Sequence, residues 1–444
     1  MASLRYSGGQ SFNFFSRGTT TISSGTADPN YPLANLYGNR PVAPLRFTAA
    51  GTTKQIDCDL DLCVSAGYHT GTMETDAGGL PSGWTDISTG GSSMSRTTVA
   101  GEFASGAAGM KCDRSGGSGN AIGRTTFVAR AGETLTISFW SKLSSASTCF
   151  ARIRNTITGN YYVSGAWQAA AGSATTATST TGVVTTLTFA VESMATCGQE
   201  LCTMRFELGL SSTAIAYFDD AAVWPAVDFI SLHGHNLGAS FTVNLQSSAD
   251  GATYASETLQ APSSGTALVL AYPSCHGIIA SPVTTKRYWR VLLTDGMSTA
   301  GGIPYIGQAV LGATITPTSQ PRHYAIDATG INYRYPQLRV PIPLGGERVQ
   351  RLSAWANRVM KIAFLHKTEA AWADWRENFR RRMESGGWPG VVIPRDDESP
   401  ALFGRAVGSW DSDREHEGPA SLMARAETLE WVELPFPIVG ASGS

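Results

Sequence analysis

Short runs in which apolar and polar residues alternate occupy most of the chain, separated by glycine and serine. In one of them Leu135, Ile137 and Phe139 alternate with small polar residues. A period of two is that of a β-strand with one buried face. Similar runs at residues 182–190 and 202–210, with turn residues between them, are typical of β-sandwiches. The pattern predicts a mainly all-β fold.

Two stretches that lie far apart in the sequence carry complementary parts of one module. The parts are Ile56-Asp-Cys-Asp-Leu60 in the first stretch, and His235-Asn-Leu237, Ser247-Ser-Ala-Asp-Gly251 and Tyr288-Trp-Arg-Val291 in the second. This order resembles the galactose-binding-like, or discoidin-type, β-sandwich. The resemblance implies one discontinuous sandwich over residues 31–64 and 226–315, interrupted by residues 65–225.

The interrupting segment has strand-like runs of its own. Gly83-Trp-Thr85, the alternating run around Ile137, and the closing motif Ala216-Tyr-Phe-Asp-Asp-Ala-Ala-Val-Trp224 follow one another. Their order resembles the jelly-roll carbohydrate-binding modules of the CBM 4/9 type. The resemblance implies that residues 65–225 form a second sandwich that binds glycans through exposed aromatic rings.

Three aromatic residues are the candidate carbohydrate-binding residues of this segment: Tyr161, Tyr162 and Trp167. They lie in a stretch rich in glycine, serine and alanine, which offers little apolar surface to cover them. The alternative is that at least two of them belong to the core or to a subunit contact.

After residue 340 arginine, tryptophan and glutamate become frequent, and a helical pattern follows strand-like runs. Thr368 suits a helix N-cap and Gly386-Gly387 a helix end. Between them lies one apolar stripe at helical spacing, made of Trp372, Trp375, Phe379 and Met383. The segment therefore predicts a C-terminal β-sandwich with one amphipathic helix.

The C-terminal arrangement resembles the ring-forming module of phage distal-tail and minor-tail proteins. It shares with them a strand, a helix, a Gly-Gly loop and a final strand rich in glutamate. The resemblance implies a homo-oligomeric ring, three-fold or six-fold, that contacts other tail proteins. Arg380, Arg381 and Arg382 are the candidate assembly interface, and the alternative is a solvated helix end. The implied divisions are an N-terminal arm (1–30), the discontinuous sandwich (31–64 and 226–315), the inserted jelly roll (65–225), a linker (316–339) and the ring module (340–444).

Composition narrows the function classes. The 444 residues carry a formal net charge of −2, and the pI is near 6.4, so no global charge favours nucleic acid. No apolar stretch has the length of a membrane span, so no membrane insertion is expected. The N-terminus lacks an apolar h-region, so a secretory signal is not expected.

Common catalytic motifs are absent from the sequence, including G-x-S-x-G, the P-loop and H-E-x-x-H. Adjacent acidic pairs such as Asp219-Asp220 point to opposite faces of a strand, which does not suit a glycosidase. We expect no enzymatic activity and no catalytic residues, and a glycan-cleaving enzyme is the least favoured alternative.

Three groups of residues suit a metal or a disulfide. One group is Asp57, Asp59 and Asp61, which alternate along a strand and offer the oxygen ligands that Ca²⁺ takes. The second group is His233 and His235, which are better explained by hydrogen bonds at a strand end than by metal binding. Cys58/Cys63 and Cys197/Cys202 share a C-x4-C spacing, which allows a zinc site, a disulfide across the second hairpin, or buried free thiols. Free thiols are favoured. No cofactor is expected, with a structural calcium ion as the alternative.

These observations together favour a virion structural protein of phage type, a component of a tail tip or baseplate. We expect it to be made in the host cytoplasm and to reside in the virion tail. Its C-terminal module would build a symmetric ring, while the sandwiches project outward and contact host surface glycans. The alternatives are a capsid decoration or fibre protein and a carbohydrate-binding protein.

Overall fold

The described part of the chain consists mainly of antiparallel strands, which confirms the predicted mainly all-β fold. Within that part, no helix is both long and apolar enough to cross a membrane. The computed structural model describes residues 5–7, 13–38, 43–49, 53–65, 73–238, 241–260, 262–263, 265–271, 274–295, 302–316, 331–334, 337–342, 346–351, 357–366, 390–393, 402–406, 414–415 and 425–433.

The N-terminal segment supplies strands to three different sheets. Its elements are β1 (Arg5–Ser7), α1 (Phe14–Arg17), β2 (Thr19–Ser24), a 3-10 helix (Leu33–Tyr37), β3 (Leu45–Arg46) and β4 (Lys54–Asp59). Asn13 caps α1, because its side chain accepts a hydrogen bond from the Phe15 amide. β2 pairs with β4, so the stretch predicted as an N-terminal arm contains a paired strand.

A first sandwich follows in the chain. Its elements are α2 (Leu62–Ser65), β5 (Thr85–Asp86), β6 (Ser93–Thr97), β7 (Gly109–Asp113), β8 (Ala121–Arg130), β9 (Thr134–Leu143), β10 (Cys149–Asn155), β11 (Tyr161–Val163), β12 (Ala166–Gln168), β13 (Thr175–Ala177), β14 (Val183–Ala190), α3 (Met194–Cys197), β15 (Leu201–Leu210) and β16 (Ile215–Pro225). One sheet has the order β12-β11-β10-β15-β8-β5, with β13 also on β10, and the other has the order β14-β9-β16-β7-β6. Phe127, Phe139 and Phe206 fill the core between them.

A second sandwich combines strands from both sides of the first. Its later elements are β17 (Val227–His233), β18 (Phe241–Ser248), β19 (Ala255–Ser256), β20 (Leu259–Gln260), β21 (Ser274–Val283), β22 (Tyr288–Asp295), β23 (Tyr305–Ile306) and β24 (Gln308–Gly312). The sheets have the orders β20-β21-β17-β24 and β19-β18-β22-β4-β2, and β23 pairs with β3. Trp289 and Ile56 lie in the core, so strands more than 200 residues apart in sequence share one apolar interior.

Strand β16 contributes side chains to both cores. Phe218 and Val223 pack in the first sandwich, whereas Trp224 packs in the second. A register shift between Asp219 and Ala222 marks a β-bulge in this strand. The indole Nε1 of Trp224 also donates to the carbonyl of Thr284 at 2.8 Å. The two sandwiches are therefore joined through a shared strand.

The C-terminal elements form a further sheet. They are β25 (Ile331–Arg334), β26 (Gln337–Ile342), β27 (Gly346–Arg351), β28 (Asn357–His366), β29 (Gly390–Ile393), β30 (Leu402–Ala406), β31 (Arg414–Glu415) and β32 (Arg425–Glu433). The sheet order is β1-β29-β30-β32-β28-β25, with β31 on β32, and β26 pairs with β27. The stretch 316–339, predicted as a linker, contains β25 and the first residues of β26, which pair with β28 and β27. The predicted helix with Trp372, Trp375, Phe379 and Met383 lies outside the described residues.

All seven cysteines are buried free thiols, the interpretation that the sequence favoured. Burial raises the pKa of Cys58, Cys202 and Cys275 to about 12 in each case. Since the thiolate is the reactive form, both the burial and the pKa protect these side chains at neutral pH.

We expect a soluble thiol reagent to label none of the cysteines in the native protein and all seven after unfolding in denaturant. Mass spectrometry of the labelled chain at pH 7 measures this directly. Rapid labelling of a cysteine under native conditions would contradict the described packing around that residue, and the modified peptide would identify it.

Candidate functional site

The outward face of the sheet that contains β10, β15 and β8 carries a cluster of arginines. Alternate residues of a strand point to opposite faces, and the inward set, such as Ile153 and Phe206, fills the first core. The outward set includes Arg152 and Arg154 on β10, Arg205 and Glu207 on β15, and Arg124 on β8. These five residues are named the arginine face below.

The strand register arranges the arginine face in two rows. In one row Glu207 lies opposite Arg152 on one side and opposite Arg124 on the other. In the next row Arg154 lies directly opposite Arg205. Directly opposed residues have their Cβ atoms about 5 Å apart on the same face of the sheet. Four guanidinium groups and one carboxylate are thus held within a small area.

Two aromatic rings hold two of these guanidinium groups. The Cζ atom of Arg152 lies 4.2 Å from the centroid of the Phe150 ring, and that of Arg154 lies 5.2 Å from the centroid of Tyr161. Phe150 is close to the sheet because Gly209 lies opposite it, where a Cβ atom would come within 2.9 Å of the ring. The Nε atom of Arg154 also donates to the carbonyl of Gly159 at 3.3 Å. The rings and this carbonyl restrict where the two arginines can point.

The charge of the arginine face is not balanced. Within the described part of the chain, none of its four arginines forms a salt bridge with a carboxylate. The Nε atom of Arg152 is buried and has no hydrogen-bond partner there. Like charges directly opposite each other, as Arg154 and Arg205 are, destabilise a sheet. The arrangement is therefore suited to a ligand that brings hydrogen-bond acceptors or negative charge.

The three predicted carbohydrate-binding residues occupy two kinds of environment. Tyr161 pairs with Arg154 at the edge of the arginine face and is half-buried. Tyr162 and Trp167 instead pack against the first core, with ring centroids 5.3 Å and 6.2 Å from that of Phe189. The indole Nε1 of Trp167 donates to the carbonyl of Ala190 at 2.9 Å. The structure therefore places Tyr161 next to charged side chains and the other two rings, partly buried, against the first core.

The remaining predicted site residues lie elsewhere. Arg380, Arg381 and Arg382 are outside the described residues, so their assembly role stays a prediction. His233 and His235 are buried; the Nε2 atom of His233 lies 2.8 Å from the Ser231 hydroxyl, and burial lowers the pKa of His235 to about 4.

The aspartates considered as calcium ligands bind arginines instead. Asp57 receives two hydrogen bonds from Arg290, at 2.7 and 2.9 Å, and Asp59 receives two from Arg287, at 2.6 and 2.7 Å. Asp61 is fully buried, with Arg287 at 3.5 Å from one of its oxygens. No group of three or more potential metal ligands was found among the described residues.

The arginine face was not identified from the sequence, although a signal for it exists. In Phe150-Ala-Arg-Ile-Arg-Asn155 and Met204-Arg-Phe-Glu-Leu208, charged residues occupy every second position against an apolar inward set. This alternation is normal for a solvated sheet face. Only the pairing of Arg154 with Arg205, which are about 50 residues apart, shows that the charges are concentrated.

No protein-family model and no curated protein sequence matches the chain. Among solved structures, a part of the chain is similar to the enzymatically active domain of tailspike protein 4 from bacteriophage CBA120, with 16% identity and a TM-score of 0.24 over 32% of this chain and 19% of that one. The CBM22-1 xylan-binding domain from Paenibacillus barcinonensis is similar at 15% identity and a TM-score of 0.25, over 35% of this chain and 90% of that one. A family 11 carbohydrate-binding module of a Clostridium thermocellum cellulosomal cellulase has 14% identity and a TM-score of 0.21, over 35% and 92% of the two chains. In each case the likeness extends over about a third of this chain.

Proposed function

We propose that the first sandwich binds glycans across the arginine face, with Tyr161 as a stacking ring at its edge. The observation that carries this proposal is the pairing of the Tyr161 ring with the Arg154 guanidinium on a face that also holds Arg205 and Glu207. Sugar hydroxyls both donate and accept hydrogen bonds, so they suit guanidinium donors beside a carboxylate acceptor. An aromatic ring next to these groups provides the apolar platform that sugar rings need.

We further propose that the protein is a structural component of a phage virion, at the tail tip or baseplate. The order of strand-like, helix-like and Gly-Gly segments that the sequence predicts after residue 340 supports this proposal. Ring assembly through that part of the chain would present several copies of the arginine face at once, and weak sites then gain avidity. Light scattering of the purified chain should give the mass of a closed three-fold or six-fold oligomer. A strict monomer that binds no virion protein would rule out the assembly proposal.

A tyrosine substitution tests the glycan-binding proposal. We expect Tyr161→Ala to weaken binding to the best polysaccharide of a panel by roughly fivefold, because the stacking contact is worth about 1 kcal/mol. Tyr161→Phe keeps the ring and should bind within about twofold of the parent chain. Isothermal titration calorimetry measures both. Equal binding by Tyr161→Ala would remove Tyr161 from the site, and release of reducing ends from the panel would favour a glycan-cleaving enzyme instead.

Trp167 should respond differently from Tyr161. Because its ring packs against Phe189 and its Nε1 atom bonds to β14, we expect Trp167→Ala to cost roughly 2–3 kcal/mol of the free energy of unfolding. Urea unfolding of the full chain measures the loss. A variant as stable as the parent that no longer binds glycan would instead place Trp167 in the binding site.

A further inference from the structure

The excess of positive charge on the arginine face indicates what kind of glycan it takes. Resting on the glycan-binding function proposed above, we propose that the arginine face binds acidic sugars, with the carboxylate of a uronic-acid residue held between Arg154 and Arg205. Neither the charge nor the position of these two side chains is needed to bind a neutral sugar. Both follow directly if the ligand is an anion.

The arginine face contains one directly opposed pair of like charges. Arg154 and Arg205 face each other across β10 and β15, and neither has a carboxylate partner among the described residues. Two like charges in that position repel each other in the free protein. A carboxylate between them would replace the repulsion with charge-assisted hydrogen bonds, for which the planar guanidinium fork is well suited.

Arg154 is already positioned in the free protein. The Tyr161 ring and the Gly159 carbonyl hold its guanidinium group, so little side-chain freedom would be lost when a ligand binds. In the next row, the unpartnered Nε atom of Arg152 is a further buried donor beside the Phe150 ring. Donors that are fixed before binding favour a specific ligand rather than a diffuse cloud of counterions.

Glu207 favours an acidic sugar over a polyanion such as a nucleic acid. It lies between Arg152 and Arg124 in the register and is 6% exposed. A carboxylate there repels the closely spaced phosphates of a nucleic acid, whereas it accepts hydrogen bonds from sugar hydroxyls. Three strands about 4.8 Å apart also span only about 10 Å, the width of one or two sugar rings. The ligand should therefore carry one acid group beside several hydroxyls.

The experiment compares two polymers that differ only in their acid groups. Polygalacturonate and the same polymer after carboxyl reduction are titrated against the full chain by isothermal titration calorimetry. We expect polygalacturonate to bind at least about tenfold more tightly, because a hydrogen bond to a charged group gives a discrimination of that size. Raising the salt from about 0.1 M to about 1 M shortens the screening length from about 10 Å to about 3 Å, and should remove most of this preference.

Substitutions assign the preference to the opposed pair. Arg154→Gln and Arg205→Gln should each lose most of the tenfold preference, whereas Lys142→Gln, which removes a positive charge from the other sheet of the first sandwich, should keep it. Because the two arginines repel each other, Arg205→Gln should unfold at the same urea concentration as the parent chain or a higher one. This second readout separates loss of a ligand contact from loss of the fold.

The outcomes separate this inference from the function on which it rests. Equal affinity for both polymers, lowered by Tyr161→Ala, would overturn the acidic-sugar inference and leave glycan binding in place. No binding to either polymer or to any neutral glycan of the panel would overturn both. Tighter binding to a sulfated polysaccharide or to DNA than to polygalacturonate would overturn the assignment of a carboxylate ligand.

Discussion

Replacing Arg287 with methionine is expected to cost about 3–5 kcal/mol of the free energy of unfolding, because it removes a guanidinium group that pairs with a buried carboxylate. Arg287 binds Asp59 through two hydrogen bonds and lies 3.5 Å from an oxygen of fully buried Asp61. Although burial by itself lowers the pKa of this guanidinium, the two carboxylates raise it above its usual value. Methionine fills a similar volume but supplies no charge.

The effect of Arg287→Met should reach both sandwiches. The Oδ1 atom of Asp61 accepts hydrogen bonds from the amide of Cys63 at 3.0 Å and from the amide of Val223 on β16 at 3.3 Å. β16 belongs to the first sandwich, whereas β22, which follows Arg287, belongs to the second. Hydrogen exchange followed by mass spectrometry should therefore show faster exchange in peptides from both β4 and β16.

Arg290→Met is the matched comparison, because Arg290 makes the same kind of pair with Asp57, which lies directly opposite it on β4. Both side chains of that pair are 19% exposed, so water replaces part of the lost interaction. We expect a loss of about 1 kcal/mol, in the range of partly exposed ion pairs. Equal losses in the two variants would show that the buried Asp61 carboxylate does not depend on Arg287.

The fold class could be predicted from the sequence because strand alternation is a local property. The run around Leu135, Ile137 and Phe139 predicted a strand, and β9 covers it with these three residues in the core. The same reasoning applies to β14 and β15. The alternation of charged residues on the outward face is also visible in the sequence, but it does not mark a site, since any solvated strand carries it.

The pairing of distant strands could be predicted only in part. The motifs at residues 56–60 and 288–291 suggested one module, and β4 does pair with β22, with Ile56 opposite Val291. The use of β2 and α1 by the same sandwich had no comparable motif. The arginine face likewise depends on the register between β10 and β15, which the fold fixes through the apolar residues of the opposite face. The sequence alone does not show which outward residues become neighbours in the sheet.

The bulge in β16 is another feature that strand alternation in the sequence does not predict. A strictly alternating strand would place Ala222 and Trp224 on the side of Phe218, in the first core, whereas they pack in the second. The register shift after Asp219 changes which residues face each core, and Asp220 takes a left-handed backbone conformation with φ of 46°. Asp219-Asp220 was assessed from the sequence as an acidic pair. In the structure the pair marks the shift that lets one strand serve two sandwiches.

The second large effect is expected at the N-terminal end of the chain, where Phe15→Ala should cost about 3–5 kcal/mol of the free energy of unfolding. Phe15 is 1% exposed and packs in the core of the second sandwich beside Phe14. The turn that presents it is fixed by Asn13, whose side-chain amide donates to the carbonyl of Ala309 on β24 at 2.7 Å. Truncation to alanine would leave a cavity that the surrounding strands cannot fill without moving this turn.

The close packing of the α1 turn against β4 limits any movement of the turn into the cavity. Gly18, at the end of α1, lies so close to β4 that an added Cβ atom would be 2.4 Å from the carbonyl oxygen of Asp59. The turn is therefore held between β24 and β4, and the cavity left by Phe15→Ala should persist. Thr21→Ala, at an exposed position of the adjacent strand β2, is the matched control and should change stability by about 0.5 kcal/mol or less. Urea unfolding measures the stability of both variants. If Phe15→Ala is as stable as Thr21→Ala, the N-terminal segment is an appendage of the second sandwich and not a part of its core.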